Sequence, residues 1–152
     1  MGGGAAGASR GHGACDGSLA RLILDTTVLV DTERGGNSLG VAIDDGDNVA
    51  VAAITVAELR VGVQLARGRR RDKRERFVAA VLDAVSIEPY DLDVAEAHAA
   101  LMAHVRRTGT PRGAHDLIIA ATARARERQV VSSDQAGFVE LPGVSISTQG
   151  RS

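Results

Sequence analysis

The sequence predicts an α/β fold: one domain built on a central parallel sheet of four to five strands flanked by helices. Three observations carry that reading. Short apolar runs alternate with helical segments of about 10–15 residues, the pattern of parallel strands joined by crossover helices. The length, 152 residues, suits one domain with one core. Apolar content of 44% and charged content of 24% are those of an ordinary globular protein, with no internal repeat.

Residues 1–18, MGGGAAGASRGHGACDGS, have no apolar period. Their composition cannot offset the entropy of ordering, so a disordered extension is expected ahead of a domain spanning 19–148. LARLILD suits a buried strand ending at Asp25, TTVLVDTER a short helix, and NSLGVAIDDGDN a second helix closing on a turn. NVAVAAI (48–54) is the next strand and leads into a helix from Thr55 to about Arg67. Gly68 interrupts before a long helix with Phe77, Val78, Val81, Leu82 and Val85 on its apolar face. SIEPY (86–90) is a third strand, followed by a helix over roughly 91–108 and a break at Gly109 and Pro111. AHDLIIAATARARERQ forms another helix, QVVSS a fourth strand and VSI (144–146) a fifth.

Composition narrows the function. Two Phe, one Tyr and no Trp argue against nucleic-acid binding by aromatic stacking. Of the 18 basic residues 17 are Arg, and Arg67 to Arg76 holds seven cations. The planar guanidinium suits phosphate, although a solvated helix face interleaved with Asp72 and Glu75 is the better account of this cluster. The single cysteine, Cys15, cannot close an internal disulfide, as expected in a reducing compartment. No apolar run approaches the ~20 residues of a membrane span, and no signal-peptide pattern opens the chain. A cytoplasmic location without membrane contact is the expectation.

Ligands of open α/β sheets bind at the carboxyl ends of the strands. Four carboxylates fall on that edge: Asp25 closes the first strand, Glu58 lies one turn into the helix after the second, Asp116 opens the helix before the fourth, and Asp134 follows the fourth. Gathered acids repel one another and attract hard cations such as Mg²⁺ or Mn²⁺, which prefer carboxylate and water oxygens. Phosphodiester hydrolysis suits such a centre. Each acid alone has an ordinary explanation. Thr55-x-x-Glu58 reads as a capping box, and Asp25, Asp116 and Asp134 each sit where Asp caps a helix. Ser, Thr or Asn would cap as well, so four carboxylates together favour metal.

At these residues the chain resembles a known family. LILDTTVLVD, ITVAELRVGV, HDLIIAATA and VVSSDQAGFVELPGV look like the four motif blocks of PIN-domain ribonucleases of the VapC toxin type, from about residue 21 to 147. The resemblance implies a PIN-like domain whose Asp25, Glu58, Asp116 and Asp134 bind Mg²⁺ or Mn²⁺ for RNA cleavage, with Thr26 and Ser132 as hydroxyl supports. It further implies a homodimer and a cognate VapB-type antitoxin that can reach the acidic pocket with a basic side chain. Where many relatives carry one more acid before the Phe of the last block, this chain has Gly137 before Phe138.

Other residues carry less. Arg112, just before the Asp116 helix, is placed to contact a scissile phosphate or to be a solvated loop charge. His115 reads as a helix-start residue. A receiver domain would need a site Lys, and the one Lys is Lys73; a haloacid-dehalogenase site would need Asp-x-Asp, against Asp25-Thr26-Thr27 here. A catalytically silent PIN scaffold that only binds a protein is the alternative function. For a partner, residues 55–85 carry Val56, Leu59, Val63, Phe77, Val81 and Leu82, an apolar strip expected to receive an antitoxin helix.

Overall fold

The computed structural model describes residues 20–35 and 48–147. The expected extension (1–18) and the helix expected over NSLGVAIDDGDN lie outside the described residues, apart from Asn48, which begins a strand. In chain order the elements are β1 (Arg21–Leu24), α1 (Thr26–Gly35), β2 (Asn48–Ala52), α2 (Ala53–Leu65), α3 (Gly68–Ala84), β3 (Ser86–Glu88), α4 (Leu92–Thr108), α5 (Ala114–Arg126), β4 (Gln129–Val131) and β5 (Ser145–Ile146). The sheet has five strands in the order β3-β2-β1-β4-β5, all parallel.

The strands are apolar on both faces because helices cover both. Side chains alternate with period two, so Ile23 and Val130 enter one core and Leu22, Leu24 and Val131 the other. The first core lies against α4 and α5, through Val94, Leu101, Leu117 and Ile119, and takes in Phe138 from the segment after β4. The second lies against α1, α2 and α3, through Val28, Leu29, Leu59, Val63, Val78 and Val81.

Boundaries moved in ways that matter. Helix α2 begins at Ala53 with no intervening loop, and Ala52 is its cap without a side-chain hydrogen bond. Thr55 is therefore inside the helix and fully buried, with its hydroxyl unpartnered, so the expected capping box does not form. Strand β3 stops at Glu88 because Pro89 follows and can offer no ladder N–H. The apolar strip of 55–85 is also largely used internally: Leu59, Val63 and Val81 are buried in the second core. Val61 and Leu65 are the exposed large apolar side chains of α2, at 53% and 78%.

Candidate metal centre at the sheet edge

The two central strands place the first acid. Asp25 N–H donates to the Val131 carbonyl at 2.9 Å, extending the β1–β4 ladder by one residue past Leu24. That bond brings Asp25 beside Ser132, whose hydroxyl donates to Asp25 Oδ2 at 2.7 Å and accepts from the Asp134 N–H at 3.0 Å. Thr27 does the same from α1: its hydroxyl donates to Asp25 Oδ2 at 2.8 Å and accepts from the Ser133 N–H at 3.1 Å. Two hydroxyls, each oriented by a backbone donor, thus hold a 3% exposed carboxylate through one oxygen. Oδ1 is the oxygen these bonds do not engage.

Glu58 is presented by α2. Its Oε1 accepts from the Thr26 hydroxyl at 2.5 Å, and its Oε2 lies 2.6 Å from His115 Nδ1. Asp116 and His115 stand in the first turn of α5, whose N-cap is Gly113, so neither residue is the cap. Burial pushes the Asp116 carboxyl above its usual value; the charges of Asp25, Asp134 and Glu58 push it the same way, and His115 opposes them. Asp116 thus senses the other three carboxylates. Asp134 is exposed and accepts from the Ala136 N–H at 3.3 Å, so its capping role is real.

Asp25, Thr26, Thr27, Glu58 and Asp116 line one cleft of about 360 Å³, together with Val30, Asp31 and Arg34 of α1. Asp134 adjoins it through Ser132. Among the described residues no three His, Cys, Asp or Glu side chains converge as a ready-made metal cage. The turn Gln135–Gly137 closes the far side. A Cβ on Gly137 would stand 2.6 Å from Asp116 Oδ2, so only glycine leaves that carboxylate where it is. Arg112 donates to the Gly137 carbonyl at 3.2 Å and ties the loop before α5 to this turn.

The four acids and two hydroxyl supports singled out in the sequence therefore meet at one edge, with Thr26 bonded to Glu58 and Ser132 to Asp25. Sequence reasoning missed Thr27 and underrated His115. A hydroxyl two residues after an Asp was a usable signal, since such pairs form local side-chain bonds. Nothing local links His115 to Glu58, 57 positions away.

Residues 22–144 match the family profile of the PIN domain. Ribonuclease VapC5 of Mycobacterium tuberculosis is 36% identical over 125 residues, 81% of this chain and 89% of the relative. VapC ribonuclease Y4jK of Sinorhizobium fredii is 35% identical over 133 residues, 82% of this chain and 94% of the relative. The crystal structure of VapBC-5 from Mycobacterium tuberculosis, a member of the VapBC family of toxin–antitoxin systems, contains a similar chain: TM-score 0.68, 32% identity, 84% of this chain and 97% of that one. With the motif blocks, the five-stranded parallel sheet and the profile in agreement, this chain belongs to the PIN-domain family, in its VapC ribonuclease group.

Proposed function

We propose that the chain is a divalent-metal-dependent endoribonuclease, the toxin of a type II toxin–antitoxin pair, inhibited by a cognate VapB-type antitoxin. The observation that carries this reading is the convergence of Asp25, Glu58 and Asp116 in one cleft at the carboxyl edge of the sheet, in a chain similar to proteins called VapC ribonucleases. The donor set fits Mg²⁺ or Mn²⁺. It is all oxygen and mutually repulsive, and it forms no closed cage, as suits an ion that keeps several waters and is held by one or two carboxylates plus substrate. Asp25, Glu58, Asp116 and Asp134 would hold the metal. When bound, it supplies a water of lowered pKa and a positive centre for the phosphoryl oxygens.

The chain's own residues do the positioning. Thr27 and Ser132 fix the buried Asp25 carboxylate, and Thr26 with His115 fixes Glu58. Arg112 uses one nitrogen on Gly137, and its other N–H groups are available to a phosphate beside Asp116. The antitoxin reading rests on the similar chain in the VapBC-5 structure, and the homodimer reading on the family resemblance. Among the described residues no helix is long and apolar enough to cross a membrane.

The test is incubation of purified protein with RNA in Mg²⁺, Mn²⁺ or EDTA. Cleavage with metal and none in chelator is expected; undiminished cleavage in EDTA would refute the metal mechanism. No cleavage under any condition, with retained binding to the co-expressed product of an adjacent gene, would establish the silent scaffold instead. Light scattering of the same sample checks the dimer.

A further inference from the structure

A second cleft, of about 330 Å³, opens between α1, α2 and α3 and shares Thr26, Val30, Arg34 and Glu58 with the acidic one. We infer that this cleft, through Arg34, Arg70 and Lys73, seats the phosphates of the RNA strand flanking the scissile bond. The inference rests on the nuclease reading above and adds to it a path for the substrate.

Charge and continuity support it. Arg70, Lys73 and Arg74 are spaced i, i+3, i+4 along α3, so they share one face with Cβ atoms about 5–6 Å apart. Arg34 faces them from the end of α1, so four cations stand against two acids, Glu33 and Glu58, in the lining. Arg74 is anchored, donating to the Gly62 carbonyl at 3.1 Å. Arg34, Arg70 and Lys73 have no ion pair or side-chain hydrogen bond among the described residues, whereas Arg60 on the neighbouring helix is paired with Glu75. The helix dipole accounts for Arg34, in the last turn of α1, but not for Arg70, in the first turn of α3. The first turn of α3 carries no acid, and positive charge there opposes the helix dipole. A polyanion laid across that turn reverses the penalty.

The cleft's volume, about 330 Å³, is at the small end of sites that take small ligands and leaves room for a nucleotide. Its floor of Val30, Leu59, Phe77 and Val78 gives a base an apolar surface. Because Glu58 and Thr26 form the wall common to both clefts, a strand with its scissile phosphate at the acids continues directly past Arg34.

The experiment compares two charge-matched double variants of the full chain, Arg70→Gln/Lys73→Gln in the cleft and Arg69→Gln/Arg71→Gln on the same helix outside it. Binding of a fluorescent single-stranded RNA is measured in EDTA across a salt series, and KM for cleavage is measured in Mg²⁺. The cleft pair should weaken RNA binding by at least ~10-fold and lower the salt slope by about 1.4, the value for two lost contacts to a single strand. KM should rise in step with little change in kcat, and the control pair should change both readouts less than ~3-fold. Equal effects of the two pairs would reduce the cleft to general surface charge and overturn the inference. Unchanged RNA binding with lost capture of the adjacent gene's product would assign the cleft to a protein and overturn it too. RNA binding that depends on the cleft in a chain that never cleaves would leave this inference standing while the nuclease reading failed.

Discussion

Glu58 commits both carboxylate oxygens to neighbours from other elements, Thr26 of α1 and His115 of α5. Substituting Gln keeps an acceptor for Thr26 and offers its amide to His115, so the fold loses little; it removes the charge a hard cation needs. Glu58→Gln is expected to lower cleavage by at least ~10²-fold, about 2.7 kcal/mol in barrier terms, with a melting temperature close to that of the parent. Parallel loss of stability, or full activity, would make Glu58 structural. Gly137 gives a complementary test. Its backbone is not in the left-handed region, and the atoms nearest an added Cβ are those of the Asp116 side chain, Oδ2 at 2.6 Å and Cγ at 3.1 Å. Gly137→Ala should therefore change stability by less than ~0.5 kcal/mol, as for surface substitutions. Cleavage should fall by an order of magnitude or more as Asp116 is displaced. An active Gly137→Ala enzyme would show that Asp116 can move without consequence.

At the scale of elements, an ion network ties the α4–α5 pair to the sheet. Arg128, 6% exposed, precedes β4 and donates to Glu88 Oε2 at 2.8 Å, to the Leu22 carbonyl at 3.1 Å and to Asn48 Oδ1 at 2.8 Å. Those partners lie at the starts of β1 and β2 and the end of β3, so one guanidinium registers four strands. Arg128→Ala leaves backbone acceptors and part of the Glu88 charge unpaired, and a loss of about 3 kcal/mol is expected by denaturant titration. Arg126 extends the network to Glu88 and Asp91, and Asp91 also caps α4 by accepting from the Val94 N–H at 3.1 Å. The Val94 amide first, and then Arg126, hold the Asp91 carboxyl below its usual value of 3.8. A carboxyl lowered in the folded state binds its proton more readily when unfolded. Its contribution is thus present above about pH 4 and lost as pH falls through the folded value. Asp91→Asn keeps the cap and removes the charge. The variant should melt below the parent near pH 6 and converge with it towards pH 2–3; a constant gap across that range would assign the effect to geometry alone.

For the whole molecule, the acidic edge sits on strands that both cores grip, so a metal bound there only in the native state would be linked to folding. A cation bound only by the native state at 100 times its Kd adds about 2.7 kcal/mol, or some 5–10 °C for a domain of this size. Thermal melts with Mg²⁺ or Mn²⁺ should show that rise in the parent and lose most of it in Asp25→Asn; equal shifts in both would place the ion elsewhere. How much of this was legible beforehand depends on range. The sequence alone determined the α/β class, the strand and helix segments over the described residues, and a group of four acids expected at the carboxyl edge of the sheet, because hydrophobic period and position next to a strand or helix end are local properties. Even there it misplaced the start of α2, since the choice between capping box and continuous strand-to-helix passage is decided by the buried side of Thr55. Only the tertiary structure decided the strand order β3-β2-β1-β4-β5, the His115–Glu58 bond, the role of Thr27 and the room Gly137 leaves for Asp116. Each of these is a meeting of residues far apart in the chain, and such meetings are fixed by which faces the two cores bury rather than by any pattern in the neighbouring residues.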